Sequence, residues 1–404
     1  MVDLSLTGRN GEFDKMMPLR GSQPIYLDHH ATTPVDPRVA SVVMHAMTGA
    51  FGNANSIDHA FGEAAGTLIA GASEEVAALV GSAPEYVYFT SGSTEAIGLA
   101  LVHAIFQGRR SPLRVALTRV EHRAVIDAVA KATRSGQVRP YWIDVDARGR
   151  LSPDSLQAAL DTGIDLVCLM AANNEVGNIY SVAEIALQIR RSGAKMMVDA
   201  TQAAGKIPVH ARDWEIDYLV VSAHKLYGPK GVGALISPVR DLWSQISDLV
   251  WASEGTPNVP GIAGFGEACR LRRIEMDEDE SRIAALRDRL QSQLTASIPD
   301  MAVNGDLSCR LSGNLHISLP GVPNDALTAR LRRKVAISTG SACTSGAHGP
   351  SHVLQAMGLS EEHQEGALRI GVGKFNTEDE IDRAAKEIVA AVDAVKASMS
   401  GEVR

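Results

Sequence analysis

Short apolar runs alternate with amphipathic segments along most of the chain, beginning at Tyr26. The runs have the length and composition of buried strands, and they lie at residues 87–90, 115–118, 166–170, 196–198, 218–222 and 234–236. Between them, apolar positions recur at helical spacing in residues 62–80, 94–106, 124–133 and 182–192. Strands that alternate with helices predict an α/β fold in which helices cover both faces of a mixed, mostly parallel sheet.

This alternation changes after about residue 275. A charged amphipathic helix is predicted over residues 280–298, and it is followed by a strand at 315–319 and by helices at 325–334 and 377–399. We therefore predict three parts. They are a flexible N-terminal extension over 1–22, a large domain over 23–275 whose first residues pack on the small domain, and a small C-terminal α+β domain over 276–404.

The composition of this 404-residue chain excludes several classes of function. It carries 39 basic and 47 acidic residues, a net charge of −8, so direct nucleic-acid binding is not expected. Its four cysteines include no CxxC pair, which argues against a metal site and favours a reducing compartment. No run approaches the roughly 18 apolar residues that a membrane span needs, and no secretory signal is evident, so we expect a cytoplasmic protein without a membrane partner.

The first candidate functional residues follow the strand predicted at 87–90. Ser93 and Thr94 stand in a turn of small hydroxyl residues where a helix begins. Backbone N–H groups at that helix start, together with the two hydroxyls, would bind an anion such as a phosphate. Taken alone, the same turn is equally consistent with an ordinary helix cap.

A lysine follows another buried strand. Lys225 ends the sequence Ser-Ala-His-Lys after the strand at 218–222, and a glycine-rich turn comes next. Burial disfavours the ammonium form of a lysine, so this position suits a lysine that forms a Schiff base. A solvated loop lysine is the alternative when this motif is considered by itself.

Polar residues at three more strand ends favour the Schiff-base interpretation. Asp199 and Gln202 follow one predicted strand, His122 follows a second and Asn174 follows a third. The carboxyl ends of parallel strands lie along one edge of a sheet, so these side chains should converge there with Lys225. An acid directed at a ring nitrogen is how proteins strengthen pyridoxal 5'-phosphate (PLP) as an electron sink. The sequence therefore predicts a PLP site at this edge.

A series of ordered motifs between about residue 24 and residue 390 gives a more specific indication. They read PIYLDHHATTPVDPRV, FTSGSTEA, EHRAV, NNEVG, VDATQAAGKIPV, SAHKLYGPKGVGAL, GTPNVPGIAGFGEA, STGSACTSG and LRIGVGKFNTEDEID. Together they resemble the cysteine desulfurases of the NifS/IscS type, which are class V, fold-type I PLP-dependent transferases. The resemblance implies that the large domain binds PLP, that L-cysteine is the substrate, that the chain forms a homodimer, and that a sulfur-acceptor protein such as an iron–sulfur cluster scaffold is a partner.

The resemblance also implies which residues hold the cofactor. Lys225 would form the Schiff base, His122 would stack on the ring, Asp199 would face the pyridine nitrogen and Gln202 the phenolic oxygen. His122 and Lys225 would also act in catalysis. The residues implied for the phosphate are Ser93, Thr94, Ser222, His224 and, reaching across to the partner subunit, Thr256.

Three further residues would act on the substrate. Asn174 and Arg369 would bind its carboxylate, and Cys343 would be the nucleophile that takes its sulfur. The guanidinium fork of Arg369 suits a carboxylate, and its apolar neighbours Leu368 and Ile370 indicate a buried strand. Cys343 stands among small residues in the loop 338–346, which suits a thiol that must be accessible in order to react.

Two departures from the family pattern leave alternatives open. The stretch 248–256 is shorter than in the family and lacks its arginine, and His29 and His30 stand where the family often has Asn-Asn or Asn-Ala. There are three competing hypotheses: a selenocysteine lyase, an aminotransferase-like relative, and a weakly active desulfurase-like binding platform. For a desulfurase, the sulfur could go to iron–sulfur clusters, thiolated tRNA or DNA phosphorothioation.

Overall fold

The computed structural model describes residues 24–240, 242–247, 255–339 and 351–400. The strands in these ranges are β1 (Ile25–Tyr26), β2 (Val87–Thr90), β3 (Leu113–Thr118), β4 (Val138–Ile143), β5 (Leu166–Met170), β6 (Lys195–Asp199), β7 (Tyr218–Ser222), β8 (Gly233–Ile236), β9 (Ala302–Val303), β10 (Asn314–Ser318), β11 (Val335–Ala336) and β12 (Ala367–Gly371). The helices are α1 (Pro37–Thr48), α2 (Ala60–Val80), α3 (Ser93–Phe106), α4 (Arg123–Arg134), α5 (Pro153–Asp161), α6 (Val182–Arg191), α7 (Leu242–Ser247), α8 (Val259–Ser297), α9 (Asn324–Leu331), α10 (His352–Ala356), α11 (Glu361–Glu365) and α12 (Glu378–Met399). None of the helices in these ranges is both long and apolar enough to cross a bilayer.

The largest sheet has seven strands in the order β2-β8-β7-β6-β5-β3-β4. Strands β4, β3, β5, β6 and β7 pair in parallel, whereas β8 is antiparallel to both of its neighbours, β7 and β2. As a result β2 runs in the same direction as β7. The carboxyl ends of β2, β3, β5, β6 and β7 therefore lie along one edge of the sheet, where open α/β sheets bind ligands.

Helices cover both faces of this sheet, as the apolar runs of its central strands require. Every residue of β5 and β7 is buried, which is typical of parallel strands covered on both sides. In β7, Leu219 and Val221 belong to one apolar core and Tyr218 and Val220 to another. Successive side chains of a strand point to opposite faces, so the two cores lie on opposite sides. The predicted α/β architecture is thus confirmed.

A separate apolar core surrounds the three-stranded sheet β12-β10-β9. This core is called the second core below. Helix α8 joins it to the large sheet, because its early residue Phe265 packs in the same core as Leu219 and Val221 and its later residue Leu290 packs in the second core. The sequence indicated a helix-like run over 266–273 and a separate helix over 280–298, because the charged residues between them interrupt the apolar pattern. Those charges have partners: fully buried Arg272 pairs with both Asp279 and Glu280.

The chain between β1 and α1 contacts both parts of the protein. Strand β1 pairs in parallel with β11, and the side chains of Ile25 and Leu27 lie in the second core. A few residues later, the backbone N–H of Thr33 donates to the carbonyl of His224, beside the predicted catalytic lysine. This segment therefore connects the C-terminal part of the chain to the ligand-binding edge of the large sheet.

Among the residues that the structure describes, the sequence analysis missed the strands β1, β4, β9 and β11 and the helices α1, α5, α7, α10 and α11. Strand β4 lies at the end of the sheet, and it contains Arg139, Pro140 and the partly exposed Trp142 instead of an apolar run. Proline and charged residues are tolerated on edge strands because one side of the backbone is unpaired. The pattern of a buried strand was therefore absent here for a physical reason.

Two glycines in the contact between α2 and α8 give a paired prediction. A Cβ on Gly266 would lie 2.5 Å from the Cα of Ala72, whereas a Cβ on Gly71 would meet nothing within 4 Å. Gly266→Ala should lower the free energy of unfolding by about 1–3 kcal/mol, because the helices cannot keep this separation. Gly71→Ala should raise it by about 0.5–1 kcal/mol, because alanine favours the helix. Denaturant unfolding of both variants tests this, and equal effects would contradict the packing described.

Candidate active site

A cavity of about 390 Å³ opens at the carboxyl ends of β2 and β7. Four of the residues predicted to hold a phosphate, Ser93, Thr94, Ser222 and His224, line it together. The other lining residues are Thr32, Ser91, Gly92, Glu95, Lys230 and Gly231. The structure thus brings together turns that are more than a hundred residues apart in the chain.

The cavity wall fits a phosphate group. Helix α3 begins at Ser93 with Gly92 as its N-cap, and no side chain caps its first turn, so its N–H groups face the cavity mouth as donors. A Cβ on Gly233 would lie 2.8 Å from the Cα of Gly92, so the backbones approach as closely as glycines allow. Lys230 adds a positive charge to this wall.

His224 presents a neutral imidazole to the same cavity. Burial lowers the pKa of His224 to about 4, and the charges of Lys225 and Lys230 act in the same direction. Its Nδ1 lies 3.1 Å from Oγ1 of Thr32. An anion bound here would be held by hydrogen bonds from hydroxyl, imidazole and backbone groups rather than by a cluster of ion pairs.

Lys225 is held next to the cavity in a short 3-10 turn, Ala223–Lys225, directly after β7. The residue is only 8% exposed. Its Nζ donates to the backbone carbonyls of His30 and Ala31, at 2.7 Å each. The predicted lysine is therefore buried. In the contacts described for it, backbone carbonyls of the N-terminal segment orient its amine.

The two polar residues predicted at the end of β6 are buried, and one of them shares a hydrogen-bond acceptor with this lysine. Asp199 is buried at the end of the strand, and its Oδ1 accepts from the N–H of Thr201 at 2.9 Å. Gln202 is also buried, and its Nε2 donates to the carbonyl of His30 at 2.9 Å. That carbonyl also accepts from Lys225, so Gln202 and Lys225 share one acceptor.

His122 lies at the end of β3, as predicted, and caps helix α4. Its Nδ1 accepts from the N–H of Ala124 at 3.1 Å, which fixes the ring at the helix start. The preceding residue, Glu121, was not predicted as part of the site. Its Oε1 accepts from Thr118 at 2.6 Å and from the N–H of Met170 at 3.1 Å, so it links the ends of β3 and β5.

Arg369 is more constrained than the sequence indicated. It lies in β12 with 2% exposure, and its guanidinium forms an ion pair with Asp28 at 3.0 Å. One guanidinium nitrogen donates to the backbone carbonyl of Asn174 at 3.0 Å, which brings the two predicted carboxylate-binding residues together. Nε of Arg369 is buried and has no partner within the described ranges. Part of the fork is therefore already used, and part is available.

Two predicted residues are not brought into this site. Thr256 lies on the exposed surface before α8. Cys343 falls outside the described residues, as does most of the shortened stretch 248–256. The sequence analysis gave no role to Lys230, Thr32 or Glu121. All three stand within motifs quoted above, SAHKLYGPKGVGAL, PIYLDHHATTPVDPRV and EHRAV, but no local pattern set them apart as site residues.

The fold and the site together define a family. The sequence profile of the class-V aminotransferases matches residues 25–384, and the chain belongs to this PLP-dependent family. Within it, the chain is 41% identical to "Cysteine desulfurase IscS" of Anaeromyxobacter sp. (strain Fw109-5), over 91% of this chain and 92% of that protein.

Solved structures point in the same direction. A structure described as a NifS-like protein is 31% identical, with a TM-score of 0.80 over 92% of this chain and all of the other. DndA from Streptomyces lividans is 33% identical, with a TM-score of 0.70 over 85% of this chain and 98% of that one. The resemblance read from the sequence motifs is confirmed by both kinds of comparison.

The buried carboxyl of Glu121 gives a prediction about pH. Burial raises the pKa of Glu121 to about 8, and Asp199 adds to the shift. The pKa of this carboxyl is 4.5 in the unfolded chain and about 8 in the folded protein. Between these two pH values the folded protein binds one proton more than the unfolded chain, so the free energy of unfolding falls as the pH rises. Glu121→Gln should therefore become more stable relative to the natural protein between about pH 5 and about pH 8.5. Denaturant unfolding at both pH values measures this difference, and a difference that does not change with pH would contradict a neutral Glu121.

Proposed function

We propose that the protein is a cysteine desulfurase, which converts L-cysteine to L-alanine and keeps the sulfur as a persulfide on Cys343. The main support is the placement of a buried lysine, Lys225, next to a cavity of about 390 Å³ that the candidate phosphate-binding residues line, with a buried carboxylate at the same sheet edge. The relatives that match nine-tenths of the chain carry the name cysteine desulfurase.

The residues of this edge fit PLP. The α3 N-terminus, Ser222 and His224 would hold its phosphate, Asp199 its ring nitrogen and Gln202 its phenolic oxygen, with His122 stacked on the ring. Bound there, PLP would supply an electron sink for the electron pair that remains when the substrate loses its α-proton. The remaining work belongs to side chains of this chain.

Arg369 and Asn174 would orient the substrate through its carboxylate. Asp28 keeps the guanidinium in place, and Nε of Arg369 is left to donate to the incoming anion. The amine of Lys225 would take the α-proton of the substrate on Nζ. Its two carbonyl acceptors hold the amine at this position.

Cys343 would then receive the sulfur. Its thiolate attacks the sulfur of the substrate, so that an S–S bond forms while the bond between Cβ and sulfur breaks. The electron pair of the broken bond stays with the substrate carbon, which takes up protons and leaves as alanine. The sulfur remains on the enzyme as a persulfide and passes to an acceptor protein in the cytoplasm.

We propose that the large and small domains divide near residue 275, inside α8. We also propose that the chain is a homodimer. Several large apolar side chains near the N-terminus are exposed: Met44, Met47, Phe51, Ile57 and Phe61. The rings of Phe51 and Phe61 lie 5.3 Å apart, so they form one apolar surface. Such surfaces mark protein contacts, and exposed Thr256 would reach the phosphate of the partner subunit.

The proposed sulfur transfer predicts different results for two variants. Lys225→Ala should lose both the visible absorbance of bound cofactor and alanine production. Cys343→Ser should keep the absorbance and its change on adding cysteine, but should produce no alanine, because a neutral hydroxyl is a much weaker nucleophile than a thiolate. Full alanine release by Cys343→Ser would instead indicate a lyase, and activity in Lys225→Ala would remove the lysine from the mechanism.

The homodimer predicts that the apolar surface controls association. Phe51→Ser combined with Phe61→Ser should shift the sedimenting species from dimer to monomer, because both rings would lose buried contact area. Phe106→Ser is a matched control, since Phe106 is exposed to 58%, close to the 62% of Phe51, but lies on α3. A dimer that is unaffected by the double change would place the interface elsewhere.

A further inference from the structure

Lys206 forms a short hydrogen bond with a residue of the proposed cofactor site. Its Nζ donates to Oε1 of Gln202 at 2.7 Å. A lysine ammonium can only donate, so this contact identifies the amide oxygen of Gln202 and fixes which way the amide faces. Nδ1 of His30 lies 3.3 Å from the same oxygen.

The opposite end of the amide is fixed by the same arrangement. Nε2 of Gln202 donates one hydrogen to the His30 carbonyl at 2.9 Å, and its second hydrogen is left to donate elsewhere. Without Lys206, the amide could turn over and place its oxygen where its nitrogen now lies. A turned amide would present an acceptor, not a donor, to any anionic oxygen in the site.

The turn that carries Lys206 is itself held firmly. The carbonyl of Gly205 accepts from Nε of Arg272 at 2.7 Å, and Arg272 is fully buried in α8. The same arginine pairs with Glu280. The turn that carries Lys206 is therefore positioned by Arg272 of α8, a helix that extends into the second core.

The charge of Lys206 is also felt within the site. Burial lowers the pKa of Lys206 to about 7; Glu280 opposes the shift, whereas Lys225, Arg272 and Arg369 increase it. Lys206 also lowers the pKa of His30 and of His224. The ammonium of Lys206 thus lies within electrostatic range of the lysine and the arginine assigned to catalysis.

We propose that Lys206 is a positioning residue that holds the amide of Gln202 with its NH2 group towards the phenolic oxygen of PLP. This rests on the proposed function. A donor and a nearby cation both stabilise a phenolate, and a stabilised phenolate makes the linked Lys225 nitrogen less basic. Lys206 would therefore keep that nitrogen easier to deprotonate at neutral pH.

The test is a pH titration of the visible absorbance of the PLP-loaded protein. Lys206→Met should raise the midpoint by about one pH unit, a tenfold change in the proton affinity of the linkage. Lys206→Arg should stay closer to the natural midpoint, because it keeps the charge and can still donate. Lys195→Met is the control, since Lys195 lies at the opposite end of β6 and contacts the ring of Tyr218.

A double-mutant cycle separates positioning from a general structural effect. In a Gln202→Ala background the same Lys206→Met change should shift the midpoint much less, because no amide remains to be oriented. If Lys206→Met folds poorly because Glu280 loses a nearby compensating charge, Lys206→Met combined with Glu280→Gln restores neutrality and is compared with Glu280→Gln.

Each outcome distinguishes the two proposals. If the natural protein binds no PLP, the proposed function fails. If PLP binds normally but Lys206→Met leaves the midpoint unchanged, or shifts it equally with and without Gln202, the positioning role of Lys206 is wrong while the proposed function stands.

Discussion

The two hydrogen bonds from Nζ of Lys225 to the carbonyls of His30 and Ala31 are the contacts on which the site depends. Those carbonyls belong to a segment that begins as a strand paired with β11 in the C-terminal part of the chain. The same segment supplies Asp28 to Arg369. One short segment, a strand followed by a turn, therefore sets the distance between the lysine and the arginine that the proposed reaction needs.

Buried charge reinforces this arrangement. Lys374 follows β12 and pairs with Asp36 at 2.5 Å, and both side chains are almost completely buried. Buried ion pairs gain little net stability over apolar contacts, but breaking one by removing a partner costs roughly 3–5 kcal/mol. A different placement of the segment between β1 and α1 would separate such a pair, and it would therefore be strongly destabilised. We infer that their contribution is geometric: they fix one arrangement of the two cores around the site.

The sequence predicted the parts of the fold that follow from local pattern. Strands β5 and β7 are continuous apolar runs, and their burial on both faces explains why they were found almost to the residue. The predicted convergence of Ser93, Asp199 and Lys225 required only the rule that parallel strands share an edge. Pattern fails where tertiary contacts replace it, as in the charged middle of α8, whose polar residues pair with one another.

Within the site, the residues that the sequence missed act through contacts that no local motif records. Glu121 links two strand ends from a buried position, and Lys206 reaches Gln202 across one turn. The ion pair between Asp28 and Arg369 joins residues 341 positions apart. Such pairs become visible only when the chain is folded, which is why the arginine looked like a free fork in the sequence.

The central claim is that Lys225 is the residue that carries the cofactor. Reconstitution with PLP, reduction with borohydride and peptide mapping would test this directly, because reduction makes the link between lysine and cofactor permanent. The account predicts that the pyridoxyl group is found on Lys225, with Lys206 and Lys230 unmodified. A label on Lys206 or Lys230, or the absence of any label from the reconstituted protein, would contradict it.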